Sequence, residues 1–417
     1  MSQTHLPSHW HEATLKDCCQ KPEYGFTASA TNKPAGPKFL RITDIQDSGV
    51  QWETVPYCEV TEEVKKSHLL KPGDIVVARI GATTGKAYFV KDCPDTVLAS
   101  YLIRLRAKPE LLPEFLGFYC QTEAYWKHID QNKGGRLKGG VNIPVLQSLA
   151  IPLPPFSEQQ AIARVLRSVQ KAKEIRRKQL QLERELKAAL MQRLFTRGAR
   201  GEARKQTEIG EMPESWQVVR LGEVAAQTQY GLSLRGGSSG SFPILRMNNL
   251  GNGVIDLSDL QYVEVDAKTL QSFRLNKGDL LFNRTNSYEL VGKTSLFDCD
   301  GDFVFASYLV RVVVDADKAN PAFLNEYLNA SATQGRLKML ASRGVSQTNI
   351  SASKLRGFAV PLPSVSEQDE IAKILEACGK VIALLEKESA LLDELFRALL
   401  EELMTGRLSA TALIESQ

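Results

Sequence analysis

The side-chain groupings that could act chemically are few, and each lacks a part that its chemistry needs. Gly81-Ala82-Thr83-Thr84-Gly85-Lys86 and Val291-Gly292-Lys293-Thr294 approach a phosphate-cradling loop. Such a loop needs a glycine five residues ahead of the Gly-Lys pair, so that backbone N–H groups can close around the phosphates. Ile80 and Ser287 stand there instead. The Gly-Lys pairs therefore read as basic turns, serving the scaffold or a DNA phosphate. His9, His11, Cys18 and Cys19 are residue types that ligate zinc. A later run keeps the tryptophan of this segment, as Trp216, but has Ser215 and Gln217 in place of the two histidines. No metal site is expected.

Leu153-Pro154-Pro155-Phe156 resembles the Asp/Asn-Pro-Pro-Tyr/Phe loop of amino-methyltransferases. The first residue of that loop accepts a hydrogen bond from the target amino group, which leucine cannot do. No carboxylate pair marks general acid–base catalysis, and no glycine-rich loop after a strand offers a cofactor cradle. The positive signal is polar and basic. Lys133-Gly134-Gly135-Arg136-Leu137-Lys138-Gly139-Gly140 and Ser342-Arg343-Gly344-Val345-Ser346-Gln347-Thr348-Asn349 carry side chains of the kind that read base edges.

These two loops occupy equivalent places, because the second half of the chain repeats the first at a period of about 208 residues. Leu153-Pro154-Pro155-Phe156-Ser157-Glu158-Gln159 returns as Leu362-Pro363-Ser364-Val365-Ser366-Glu367-Gln368. Lys71-Pro72-Gly73-Asp74 returns as Asn276-Lys277-Gly278-Asp279, and Ala99-Ser100-Tyr101-Leu102 as Ala306-Ser307-Tyr308-Leu309. Asn142-Ile143 is matched to Asn349-Ile350, and Pro7 with Trp10 to Pro213 with Trp216. Each copy is domain-sized, so the chain is two modules and not a solenoid.

Each module ends in a long helix. The prolines before Ser157 and Ser366 forbid an earlier start. Ser157 ahead of Gln160, and Ser366 ahead of Asp369, suggest capping boxes. An apolar stripe follows: Ile162, Val165, Val169, Ala172, Leu186 and Leu190 in one helix; Ile371, Ile374, Cys378, Val381, Leu385, Leu392, Leu395 and Leu399 in the other. Gly198 and Gly406 stand where C-terminal caps belong. Residues 157–197 carry 11 Lys and Arg against 4 Asp and Glu, while 366–404 carry 4 against 10. Helices of opposite charge fit as partners. Each is about 40 residues, or about 60 Å, long. Roughly 18 linking residues would span that return only if fully extended, so the pair is expected to be antiparallel.

The globular parts read as α+β, with strands over Asp74–Arg79, Asp279–Arg284 and a half-buried Tyr101–Arg106, and one helix from Pro113 to His128. The expected divisions are module 1 at 1–156, helix 157–197, linker 198–211, module 2 at 212–365, helix 366–404 and tail 405–417. A hydrophobic content of 43% supports sizeable cores, and a net charge of +4 neither requires nor excludes nucleic acid. Seven cysteines without Cys-x-x-Cys spacing, no apolar run of membrane-spanning length and no signal-peptide profile point to a reduced, cytoplasmic protein.

The paired Pro-x-x-Trp openings, the Gly-Asp strands ending in Arg79 and Arg284, and the two proline-rich entries into Ser-Glu-Gln helices resemble the specificity subunits of type I restriction–modification systems. The resemblance covers essentially the whole chain. It implies two target-recognition domains separated by an antiparallel two-helix coil with pseudo-twofold symmetry. Each domain would read half of a bipartite, asymmetric DNA site, with half-sites about one helical turn, ~34 Å, apart. It also implies a non-catalytic chain that docks methyltransferase subunits, usually two, and restriction subunits. S-adenosylmethionine, ATP and magnesium would belong to those partners. Residues shared by the copies, Arg79 with Arg284 and Lys86 with Lys293, are assigned to phosphate contact or scaffold. Those that differ are the candidates for base reading: Lys33, Thr83, Thr84, Arg136 and Lys138 in module 1; Arg235, Asn286, Arg343 and Gln347 in module 2. A protein-binding repeat scaffold, or a stand-alone DNA methyltransferase or nuclease, are the alternatives.

Overall fold

The repeated Gly-Asp turns are where the main sheet of each module begins. Gly73 and Gly278 take φ of +94° and +93°, a conformation open to glycine and costly for other residues. The aspartate then closes the turn. Asp74 Oδ2 accepts from Lys71 N at 2.9 Å, and Asp279 Oδ2 from Asn276 N at 2.7 Å. Both carboxylates are buried and paired, Asp74 with Arg106 at 2.7 Å and Asp279 with Arg311 at 2.8 Å. Burial pushes the Asp279 carboxyl up, while the Asn276 amide and Arg311 pull against it. The strands leaving these turns, Ile75–Ala78 and Leu280–Asn283, are wholly buried.

The structure is a computed structural model and describes residues 6–46, 49–133, 140–344 and 347–410. It divides into two units: one holds the chain up to Arg177 and from Lys387 onward, the other Lys178 to Glu386. The first unit has an antiparallel sheet in the order Glu23–Tyr24, Leu102–Leu105, Ile75–Ala78, Ala87–Phe89. The second repeats it as Ala225–Tyr230, Leu309–Val314, Leu280–Asn283, Thr294–Leu296. In each, a short parallel pairing lies alongside: Lys38–Leu40 with Thr96–Leu98, and Phe242–Leu245 with Val304–Phe305. An early strand closes on the last in each unit, His11–Thr14 on Ala150–Leu153 and Gln217–Arg220 on Ala359–Leu362; in the second unit a hairpin, Arg204–Thr207 with Gly210–Pro213, comes first. This is the α+β module expected, twice.

Three local expectations are corrected. The stretch from Pro113 to His128 is two helices, Pro113–Tyr119 and Glu123–Asn132, because Thr122 Oγ1 accepts from Tyr125 N at 3.3 Å and starts a new one. Leu102–Leu105 is buried on both faces instead of half-buried. Ile103 and Leu105 join Phe115 and Leu116 in one core, while Leu102 packs with Leu40 and Leu98 in another. The long helices run Phe156–Arg197 and Val365–Met404, so Ser157 and Ser366 lie within the first turn and the expected capping boxes do not form. Ser364 stands ahead of the second helix, its Oγ accepting from Glu367 N at 3.4 Å.

The Ser-Glu-Gln signature has another task. Glu158, almost fully buried, accepts from Trp10 Nε1 at 2.9 Å and meets His9 Nε2 at 2.9 Å. Glu367 accepts from Trp216 Nε1 and Ala199 N, both at 3.0 Å. Gln159 accepts from Leu112 N and donates to Pro154 O; Gln368 accepts from Asn320 N and donates to Pro363 O. The two repeated motifs, Pro-x-x-Trp and Ser-Glu-Gln, are thus the two sides of one joint between module and helix. The cap glycines complete it. Gly198 and Gly406 have φ of +65° and +69°. A Cβ on Gly406 would come within 2.5 Å of the Pro7 ring, and one on Gly198 within 3.3 Å of the Pro213 ring.

Within each unit the two long helices run antiparallel. In the first, Lys173 and Arg177 reach Asp393 at 2.8 and 3.0 Å, and Arg176 reaches Glu388 at 3.0 Å. In the second, Arg184 reaches Glu386 at 2.6 Å. Leu166 shares a core with Leu399 and Leu400, whereas Leu375 packs with Leu194 in the other unit. The complementary charges therefore meet as expected. The apolar stripe is covered less fully, since Leu186, Val381 and Leu395 are exposed, as are Ile175, Leu182, Leu384 and Leu391.

Candidate nucleic-acid interface

One constellation is built identically in the two units. Arg79, the first residue past its strand, lays its guanidinium over the Tyr24 ring, 4.7 Å from the centroid; Arg284 lies over Tyr230, also at 4.7 Å. A cation on an aromatic face is attracted by the ring quadrupole. Nη1 donates to the following turn, Arg79 to Ser100 O at 3.5 Å and Arg284 to Ser307 O at 3.3 Å. The backbone repeats too: Arg79 N donates to Tyr101 O and Arg284 N to Tyr308 O, each at 3.0 Å. Each tyrosine beneath is tied in turn, Tyr24 Oη accepting from Ile143 N at 3.2 Å and Tyr230 Oη from Ala352 N at 2.9 Å. Gly25 and Gly231 let the chain pass close by. A Cβ there would lie 2.1 Å from Ala99 O or 2.3 Å from Phe305 O. Each guanidinium is half-buried, and its Nε has no hydrogen-bond partner among the described residues.

The loops that differ between the copies grow out of this constellation. The segments 80–86 and 285–293 follow the two arginines directly. Val141 N and Ile350 N donate to Arg79 O and Arg284 O at 2.8 and 2.9 Å, which ties the chain just after Gly140 and Asn349 to the two arginines. That pairing corrects one equivalence. Val141 corresponds to Ile350 and Asn142 to Ser351, two positions away from the Asn-Ile match in the sequence. The helix-capping roles agree, with Asn142 Oδ1 accepting from Val145 N and Ser351 Oγ from Lys354 N.

Among the candidate readers, Lys33, Thr83, Arg235 and Gln347 are exposed. Thr84 donates to Gly81 O at 2.7 Å, and Asn286 is half-buried, its Oδ1 accepting from Ser287 N at 2.8 Å. Arg343 lies in a two-residue strand, Ser342–Arg343, paired with Thr348–Asn349. Arg136 and Lys138 lie outside the described residues. Of the shared lysines, Lys293 is half-buried, and Lys86 Nζ donates to Ile45 O at 3.3 Å. The Gly-Lys turns themselves serve the scaffold. Gly85 has φ of +90° with Ile129 2.7 Å from a notional Cβ, and its carbonyl accepts from Tyr125 Oη at 2.6 Å. His9 is engaged by Glu158, while Cys18 is buried and donates to Thr14 O. The sequence reading passed over Tyr24, Tyr230, Tyr101 and Tyr308. Their signal was present in the repeated Tyr-Gly and Ala-Ser-Tyr-Leu.

The comparisons with known proteins agree with this internal symmetry. Residues 7–184 and 213–394 match the family described as type I restriction modification DNA specificity domain. The MjaVIII type I restriction enzyme specificity subunit of Methanocaldococcus jannaschii is 26% identical over 352 residues, 82% of this chain and 81% of that one. The EcoKI specificity subunit of Escherichia coli is 23% identical over 389 residues, 89% and 82% of the two chains. A further M. jannaschii protein, provisionally named the MjaX specificity subunit, is 30% identical over 204 residues, so the match spans about half of its length, 48%. In fold, the crystal structure of a type I restriction–modification S subunit from M. genitalium superposes with a TM-score of 0.64 at 15% identity, over 96% of this chain and 97% of that one. Two matched copies of one domain, one in each half, settle the family: the chain belongs to the DNA specificity subunits of type I restriction–modification systems.

Proposed function

We propose that the chain recognises a bipartite, asymmetric DNA sequence, with module 1 (1–156) reading one half and module 2 (212–365) the other. The helices Phe156–Arg197 and Val365–Met404, with the linker that follows the first, connect them. The chain holds DNA for chemistry done elsewhere, by methyltransferase subunits, two of them, and by restriction subunits. Those partners bring S-adenosylmethionine, ATP and magnesium. The exposed apolar side chains along the long helices suit the docking of partner helices. No helix among the described residues is long and apolar enough to cross a membrane, in keeping with work on cytoplasmic DNA.

The observation that carries this reading is one arginine–tyrosine constellation kept the same in both units beneath loops that differ. A common frame suits what two half-sites share, and variable loops suit what distinguishes them. The test is to change Arg136 and Arg343 singly to Ala and map the methylated sites with the methyltransferase present. Each change should relax a different half of a bipartite motif, and a lost base contact costs about 1–3 kcal/mol. Simultaneous loss of both halves would sink the assignment of one half-site to each module.

A further inference from the structure

Tyr101 and Tyr308 occupy the same place in the two units, and nothing in the fold accounts for their side chains. Each follows a serine in a tight turn, closed by Leu102 N to Ala99 O and by Leu309 N to Ala306 O, both at 2.9 Å. The buried parts of that turn explain themselves. Ala99 and Ala306, Leu102 and Leu309 are in the cores. The tyrosines give the turn only a backbone carbonyl, the acceptor for Arg79 N or Arg284 N, which any residue could supply. The two residues are 56% and 44% exposed, and neither hydroxyl has a hydrogen-bond partner among the described residues. One exposed aromatic is ordinary on a protein surface. Two at equivalent positions, beside loops that have diverged, call for a partner that meets both modules alike.

We infer that Tyr101 and Tyr308 contact the sugar–phosphate backbone of the DNA, at the same place in each half-site; this rests on the proposed reading of a bipartite sequence. Three features of the site favour DNA. Each tyrosine is hydrogen-bonded through its backbone to the arginine from which a candidate reading loop departs. Each follows the serine whose carbonyl accepts from that arginine's Nη1, and the guanidinium's Nη2 has no partner among the described residues, so one turn, a shared ledge, joins a half-buried cation to an exposed tyrosine. The backbone is also the part of the duplex that does not change between two different half-sites, and tyrosine hydroxyls are among the groups that hold it. The ledge would fix register, and the loops beside it would read bases.

The experiment uses the full chain assembled with its methyltransferase, comparing wild type with Tyr101→Phe, Tyr101→Ala, Tyr308→Phe and Tyr308→Ala. Binding is measured to the cognate duplex and to an unrelated duplex of equal length, over a range of salt. Because the side chains are exposed, the variants should assemble normally. Loss of a hydrogen bond to a charged oxygen predicts weakening of about tenfold for each Phe variant, equal for both duplexes. The slope of log affinity against log salt should not change, since tyrosine displaces no counterion. The methylated motif should also stay the same. Three outcomes would overturn the inference: unchanged affinity; a change confined to the cognate duplex, which would make these residues base readers; or failure to assemble with normal DNA binding by the complex that does form, which would give the ledge to a protein partner. If the wild-type complex itself shows no preference for its site, the underlying reading fails instead, and that result is separate from any effect of the tyrosines.

Discussion

Glu158 and Glu367 show how much one buried carboxylate can organise. Each sits at the start of a long helix and accepts the indole N–H of a tryptophan about 150 residues earlier in the chain, at 2.9 and 3.0 Å. Glu158→Ala would strand the Trp10 indole and release His9, whose half-exposed ring can bond water instead, whereas Glu367→Ala would strand both Trp216 and the Ala199 amide. A buried donor left without an acceptor costs about 1–3 kcal/mol. Denaturant unfolding followed by tryptophan fluorescence should therefore show a larger loss for Glu367→Ala than for Glu158→Ala. Equal, negligible losses would mean that the joint is held by packing alone. The residue types were legible in the sequence, because Pro-x-x-Trp and Ser-Glu-Gln repeat together. Their partnership was not, since a contact across so many residues leaves no local pattern. The same limit hid the stacking of Arg79 on Tyr24 and of Arg284 on Tyr230.

At the scale of elements, the long helices were the most legible part of the chain. Proline punctuation, an apolar stripe and opposed charge marked their extent and partnership, and the structure places Lys173 and Arg177 against Asp393. What the sequence could not reveal was how much of the stripe a single partner helix covers. Lys173 and Asp393 are partly buried, so a double-mutant cycle between them should give a coupling of about 0.5–1 kcal/mol, weakening as salt is added. The Lys173 hydrogen bond, followed by its charge and that of Arg177, holds the Asp393 carboxyl below its ordinary value. A depressed carboxylate stabilises the fold above its unfolded-state pKa, and that contribution fades as pH falls through the folded-state value. Asp393→Asn should therefore flatten the acid limb of a melting-temperature profile. An unchanged acid limb would show that other carboxylates govern it. The short elements were harder to read: Thr122 splits a stretch that is periodic enough for one helix, and the sheet's two covered faces erase the alternation expected of a half-buried strand.

At the scale of the molecule, one feature bears on the order in which the protein is made. The first unit is discontinuous: its core includes Phe396, Leu400, Leu403 and Met404 beside Trp10, Leu15 and Phe115. The second unit is a single uninterrupted stretch from Lys178 to Glu386. Synthesis proceeds from the N-terminus, and domains tend to fold as their residues emerge. Here the first half to leave the ribosome cannot complete its core until more than four hundred residues have been joined, whereas the later half has everything it needs sooner. The module made first is thus finished last. A chain stopped after Glu386 should give native-like hydrogen-exchange protection across the strands Leu280–Asn283 and Leu309–Val314 but weak protection across Ile75–Ala78 and Leu102–Leu105. Equal protection of both sheets would show that the first unit closes without the second helix. In the interval, an apolar surface on the earlier module stands open, and that interval is when the nascent chain is most exposed to aggregation and to chaperone capture.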